Sequence, residues 1–127
     1  MSIYHLITLS LCLSLSACTA VPEKDNSGIK HVVLCWLKEP GHKEQIEKVI
    51  NTSRELAVIP GIVEIIAGTA QASDRASVDD SFDAGLIMTF RNASDMNAYV
   101  MHEEHVKRVK QVFMPLCQRI QVYDIAY

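Results

Sequence analysis

The sequence predicts an α+β domain in which one four-stranded antiparallel sheet is covered by helices on one face. Three observations favour this fold class. Four segments have the apolar, β-branched composition of strands, two longer segments have the spacing of amphipathic helices, and the order along the chain is β-α-β-β-α-β. This order is typical of the ferredoxin-like sandwich.

The first strand is predicted from the segment KHVVLCWLK at residues 30–38. Successive residues of a strand point to opposite sides of the sheet, and both sets are apolar over residues 32–37. Such a strand is expected in the middle of the sheet, covered on both sides. One of its faces carries His31, Val33 and Cys35.

Turn residues and helical spacing predict the remaining elements. Pro-Gly pairs at residues 40–41 and 60–61 flank a segment with apolar residues at three- and four-residue spacings. Ser94 is the expected N-cap of a second helix, and Pro115 is expected to stop it. The predicted bounds are a helix ending near residue 57, strands at 62–69 and 82–90 joined by a polar loop at 70–81, a helix from 95 to about 113, and a strand at 119–126.

The N-terminus predicts a bacterial lipoprotein. Residues 1–17 contain no Asp, Glu, Lys or Arg, and their apolar stretch is too short to span a bilayer, as is typical of a secretory signal. The run LSAC at residues 15–18 resembles the lipobox, in which cleavage precedes an acylated cysteine. We therefore predict a lipoprotein signal peptide at 1–17, lipidation of Cys18 that anchors the protein to a lipid bilayer, and a flexible tether at 18–28 before a domain at 29–127. The alternative is a buried N-terminal helix with an incidental cysteine.

The expected location and the charge of the chain limit the partners that the protein can bind. Thr19 follows the cysteine, which resembles outer-membrane lipoproteins, so the expected location is the bacterial cell envelope, on the outer membrane facing the periplasm. With 12 basic and 15 acidic residues the chain has no basic field for nucleic acid.

Disulfides can form in the periplasm, but Cys35 lies mid-strand and Cys117 near a helix end. We predict two buried thiols, with a bridge as the alternative.

The residues best suited to chemistry are His31 and the group Tyr99, His102 and His105. On a continuous helix the last three would lie on roughly one side, and a break near His102 would change that geometry. His105 can accept a proton near neutral pH, and the Tyr99 hydroxyl can stabilise a developing enolate oxygen. The alternative is structural: Tyr99 as a core aromatic, His31 as a satisfied strand histidine and His102 as a surface group.

Metal binding is a weaker hypothesis. His31, His102 and His105 are three imidazoles, and Glu103 or Asp124 could add an oxygen ligand for zinc or copper. Histidines three residues apart are a weaker signal than H-E-x-x-H, so we predict no metal and no other cofactor, haem included.

Five segments resemble the stress-responsive dimeric α/β barrel domain family. They are K-H-V-V at 30–33, I-P-G-I at 59–62, F-D-A-G-L-I-M-T-F at 82–90, Y-V-M-H-E-E-H-V at 99–106 and V-Y-D-I at 122–125. The resemblance implies a ferredoxin-like protomer and a homodimer whose two sheets form a barrel. A single chain would leave one apolar face of the sheet bare, and packing against a second copy would cover it.

The family resemblance also suggests a site. The family includes the plant polyketide cyclase that makes olivetolic acid, in which a Tyr and a His spaced as Tyr99 and His105 act on the substrate, and a histidine at the place of His31 lines the pocket. Glu103-Glu104 replaces a Pro-Ala pair of that cyclase and is expected to add two charges beside the site.

The predicted function is therefore that of a lipid-anchored protein of unassigned activity. It is expected to bind a small apolar or carbonyl ligand between sheet and helices, with His31, Val33 and Cys35 contacting it. The alternative is a lyase or isomerase with His105 as general base and Tyr99 as its hydrogen-bonding partner.

Overall fold

The computed structural model of the protein describes residues 27–127. The predicted signal peptide, the predicted lipidation site Cys18 and most of the predicted tether lie outside these residues. Within the described range the elements follow the predicted order, and the ferredoxin-like fold class is confirmed. No helix in this part of the chain is long and apolar enough to cross a membrane.

Seven main elements build the domain. They are β1 Ile29–Leu37, α1 Lys43–Glu55, β2 Ile62–Gly68, β3 Ala84–Phe90, α2 Ala93–Met101, α3 Glu103–Arg108 and β4 Cys117–Ala126. The four strands form one antiparallel sheet in the order β2-β3-β1-β4, so β1 is an inner strand. Short helical turns follow α1 at Leu56–Val58 and α3 at Val109–Phe113 and Met114–Leu116.

The sheet has one buried and one open face. Burial alternates strictly along β1, whose odd-numbered residues from Ile29 to Leu37 are buried beneath the helices. On the other face a row of apolar side chains crosses all four strands. The register pairs Ile66 with Ile87, Ile87 with Val32, and Val32 with Tyr123. Three members of this outer row, Ile66, Ile87 and Tyr123, are exposed. A single chain therefore leaves an apolar sheet face uncovered.

The predicted second helix is two helices. The backbone of His102 is extended (φ −66°, ψ 139°), so α2 ends at Met101 and α3 begins at Glu103. The His102 ring accepts a hydrogen bond from the Glu104 backbone N–H at 3.2 Å and so caps α3. At the start of α2 the cap is Asn92, whose side-chain oxygen accepts from the Asp95 N–H at 2.9 Å, and the prediction of Ser94 in that role was wrong.

Two strand starts also differ from the sequence prediction. β3 begins two residues late, at Ala84, and the carboxylate of the preceding Asp83 accepts the backbone N–H groups of Leu37 and Gly41, each at 2.7 Å. β4 begins two residues early, since Pro115 lies within the last helical turn and Cys117 already pairs with Leu37.

The early start of β4 explains why the prediction of two buried thiols was wrong. Cys35 and Cys117 form a disulfide, with their Cα atoms 5.9 Å apart. Cys117 is itself a strand residue beside the end of β1, where a bulge shifts the register between Trp36 and Leu37. The sequence predicts Cys117 near a helix end, and a residue placed there is not expected to pair with β1 beside Cys35.

Candidate ligand cavity

A cavity of about 380 Å³ lies between the sheet and the α2–α3 segment. This volume falls within the range of small-molecule sites. Four residues give it a polar end: His31, Tyr99, His105 and Asp124. The other walls are apolar and include Val33, Leu86, Val109, Phe113, Ile120 and Val122.

His31 is held by Asp124. The two residues are cross-strand partners on β1 and β4, and Nδ1 of His31 lies 2.6 Å from a carboxylate oxygen of Asp124. A carboxylate only accepts hydrogen bonds, so Nδ1 carries the hydrogen and Asp124 fixes the orientation of the buried ring.

Tyr99 is the buried centre of an aromatic cluster on α2. Its ring centroid lies 5.9 Å from that of His31, 5.2 Å from that of Phe90 and 4.5 Å from that of His105. Burial raises the pKa of Tyr99 well above its usual value, so the hydroxyl stays protonated. Among the described residues this hydroxyl has no hydrogen-bond partner, which leaves a donor for an oxygen atom in the cavity.

His105 has the geometry of a neutral base. Its Nδ1 lies 2.8 Å from the backbone oxygen of Val100, so Nδ1–H donates and the lone pair is on Nε2. Burial lowers the pKa of His105, opposed by the Val100 hydrogen bond and reinforced by the nearby charge of His31. The ring is therefore neutral at pH 7 and can accept a proton.

The structure brings together most of the residues singled out from the sequence. His31, Val33, Tyr99 and His105 all line the cavity. Cys35 does not line it, contrary to expectation, because it lies further along β1 and its sulfur is bonded to Cys117.

The two glutamates do not charge the cavity, contrary to expectation. Glu103 is exposed, and Glu104 pairs with Arg108 at 3.3 Å and Lys107 at 3.5 Å on the surface of α3. Neither lines the cavity. His102 is likewise occupied as the cap of α3.

Sequence reasoning missed the contribution of β4. Ile120, Val122 and Asp124 alternate along this strand and all face the cavity. Their period of two, placed in register with β1, was the signal that could have found them. From the sequence alone, Asp124 suggests only an oxygen ligand for a metal. Within residues 27–127, no group of three or more His, Cys, Asp or Glu side chains is arranged to hold a metal ion.

Fold and cavity together define a ferredoxin-like α+β protein with a cavity beneath its helices. Within that class, the chain belongs to the stress-responsive A/B barrel domain family, whose family model matches residues 29–127. It is 27% identical over 96 residues to a stress-response A/B barrel domain-containing protein of Arabidopsis thaliana. That match covers 76% of this chain but only 35% of the Arabidopsis protein.

Solved structures share the fold. A family protein from Mesorhizobium loti is 22% identical with a TM-score of 0.65, over 78% of this chain and 95% of that one. The hydroxynitrile lyase of Passiflora edulis is 24% identical with a TM-score of 0.67, over 80% and 94%. A protein of unknown function from Thermobifida fusca, described as dimeric, is 20% identical with a TM-score of 0.65, over 84% and 97%. At these identities the likeness establishes the architecture alone.

Proposed function

We propose that this protein binds a small, largely apolar carbonyl compound in the cavity beneath α2 and α3. The observation that carries the proposal is the protonated Tyr99 hydroxyl, which has no partner among the described residues and lines an apolar cavity of about 380 Å³. Because this hydroxyl borders the cavity, a carbonyl oxygen could accept a hydrogen bond from it while the rest of the ligand covers the apolar walls.

Binding is tested with prodan, a naphthyl ketone whose fluorescence reports an apolar environment. The protein is the full chain with Cys18→Ser, which cannot be acylated. Val109→Trp fills the cavity and should abolish saturable binding, because Val109 lines it. Val106→Trp is the matched control, since Val106 lies one turn earlier at the surface and outside the lining. Equal binding by both variants would contradict the proposal.

A second candidate function is proton transfer beside the bound carbonyl, as in a lyase or an isomerase of the polyketide-cyclase type. His105 favours it, because the Val100 carbonyl holds Nδ1–H and leaves the Nε2 lone pair for a substrate proton. His105 would remove a proton from the carbon next to the carbonyl, and Tyr99 would donate a hydrogen bond to the enolate oxygen that forms. A hydroxynitrile lyase of similar fold supports the idea that this architecture can host an enzyme.

Proton transfer can be tested without a known substrate. The CH₂ group beside the prodan ketone should exchange with deuterium in D₂O about 10²–10⁴-fold faster when bound, as expected of a positioned base. His105→Gln should remove the acceleration and keep the binding. Exchange at the same rate in His105→Gln would exclude His105 as the base and leave the binding proposal standing.

We also propose that the protein is a homodimer, with the outer row of one sheet covered by that of a second copy. The dimeric description of similar structures and the exposure of Ile66, Ile87 and Tyr123 support this. Light scattering on Cys18→Ser should give twice the chain mass. Ile87→Glu should give monomers, whereas Val58→Glu, a more exposed position away from the sheet, should not.

Anchoring through acylated Cys18, in the envelope and facing the periplasm, remains our proposal for location. Its support is the LSAC run and the uncharged segment before it. Mass spectrometry of the protein extracted from membranes should find an N-terminal lipidated Cys18. Unacylated Cys18 in the membrane-extracted protein would contradict the anchor.

A further inference from the structure

The segment that presents His105 has little to hold it in place. Helix α3 spans only Glu103–Arg108 and buries none of its residues. It is separated from α2 by the extended His102 and followed by the wide helical turn Val109–Phe113. Apolar burial therefore does not fix the rotation of α3 about its axis, and polar contacts must do so.

Two polar side-chain contacts tie α3 to other elements: His105 donates from Nδ1 to the Val100 carbonyl of α2, and Arg108 pairs with Glu55 of α1. One guanidinium nitrogen, Nη1, pairs with the Glu55 carboxylate at the end of α1, and Nη2 lies 3.3 Å from Glu104 on α3 itself. The arginine side chain is only 22% exposed, and its Nε is buried without a partner among the described residues. This partly buried guanidinium is therefore oriented by its ion pairs with Glu55 and Glu104.

The Arg108 ion pair also reaches the cavity wall. Glu55 is followed directly by Leu56, which is buried and lines the cavity. Arg108 and His105 are three residues apart, so they lie on neighbouring parts of one helix face and move together. A rotation of α3 that separated Arg108 from Glu55 would carry the His105 ring away from Tyr99, whose ring centroid is 4.5 Å distant.

We propose that Arg108, through Glu55, is the positioning residue that holds His105 against Tyr99 at the polar end of the cavity. This role rests on the proposed function of the cavity. Arg108 would set the geometry of the polar end without touching the ligand. A displacement of about 1 Å is enough to impair a positioned group by orders of magnitude.

The test uses Arg108→Met and Glu55→Ala in the Cys18→Ser chain. Methionine fills the space of the buried arginine stem without a polar atom to satisfy, and Glu55 is largely exposed, so its variant tests the pairing if Arg108→Met fails to fold. Lys107→Met is the matched control, because it removes only the pair between Lys107 and Glu104 within α3. Arg108→Lys keeps a cation for Glu55 and serves as the conservative rescue.

The first readout needs no ligand. Proton NMR should show a nuclear Overhauser effect between the His105 and Tyr99 rings in the parent, in Lys107→Met and more weakly in Arg108→Lys, with loss in Arg108→Met and Glu55→Ala. Prodan binding should weaken about tenfold in the last two, which corresponds to about 1.4 kcal/mol. An unchanged ring contact in either variant, or an equal loss in Lys107→Met, would overturn the positioning role. Absence of prodan binding in the parent would instead overturn the proposed function and leave the ring contact to decide this inference.

Discussion

Reduction of the Cys35–Cys117 disulfide should destabilise the domain strongly. The bridge joins residues separated by 82 positions, so it closes most of the domain into one covalent loop. The chain-entropy relation for a loop of that length gives about 4.5 kcal/mol at 25 °C, because the unfolded chain is denied many conformations. For a domain of this size, that corresponds to a fall in Tm of roughly 20–35 °C.

The assay is thermal unfolding followed by circular dichroism, with and without prior reduction in denaturant. Reduction leaves every side chain in place, so the comparison isolates the covalent bond. Cys117→Ala is the control, and its Tm should be the same under both conditions. Equal Tm values for oxidised and reduced parent would refute the loop-entropy reasoning. Titration of free thiols at Cys35 and Cys117 in the untreated, denatured protein would refute the bridge itself.

Three further predictions concern the cavity residues His105 and Tyr99 and the Asp83 contacts that join β1 to the start of β3. Burial lowers the pKa of His105 below 6.5, so as the pH falls the unfolded chain binds a proton at this histidine before the folded chain does. The free energy of unfolding should therefore fall as the pH drops below 6.5. Urea titrations should show a smaller fall in His105→Gln. Tyr99→Phe keeps the buried ring and should change the free energy of unfolding by less than about 1 kcal/mol, while the prodan Kd rises about tenfold. Asp83→Ala should cost about 2–3 kcal/mol in urea denaturation, because the Leu37 and Gly41 N–H groups lose a charged acceptor, whereas Asp80→Ala in the exposed loop should cost much less.

Local patterning was enough to predict the fold. Alternation along β1 and helical spacing along α1 follow from which side chains are apolar, and these periods survive in the folded chain. The elements that were mispredicted depend on single polar side chains. Asn92, and not Ser94, caps α2, and the Asp83 carboxylate just before β3 accepts two backbone N–H groups.

The candidate site was predictable only in part. His31, Tyr99 and His105 stood out because their side chains can exchange protons and they recur in a related family. Two interactions depend on the register of β1 with β4: the hydrogen bond between His31 and Asp124 and the disulfide between Cys35 and Cys117. That register joins residues far apart in sequence, and no short-range pattern encodes it. The break at His102 arises similarly from one ring that caps the next helix.

The central claim is that Tyr99 donates a hydrogen bond to a carbonyl oxygen in the cavity. It is tested most directly by the ¹³C chemical shift of prodan labelled at its carbonyl carbon, measured bound to Cys18→Ser and to the same chain with Tyr99→Phe. Donation from Tyr99 predicts that the carbonyl carbon of bound prodan resonates further downfield in Cys18→Ser than in the Tyr99→Phe chain, and that Val106→Trp keeps the downfield position. The same bound shift with and without the Tyr99 hydroxyl would contradict the claim.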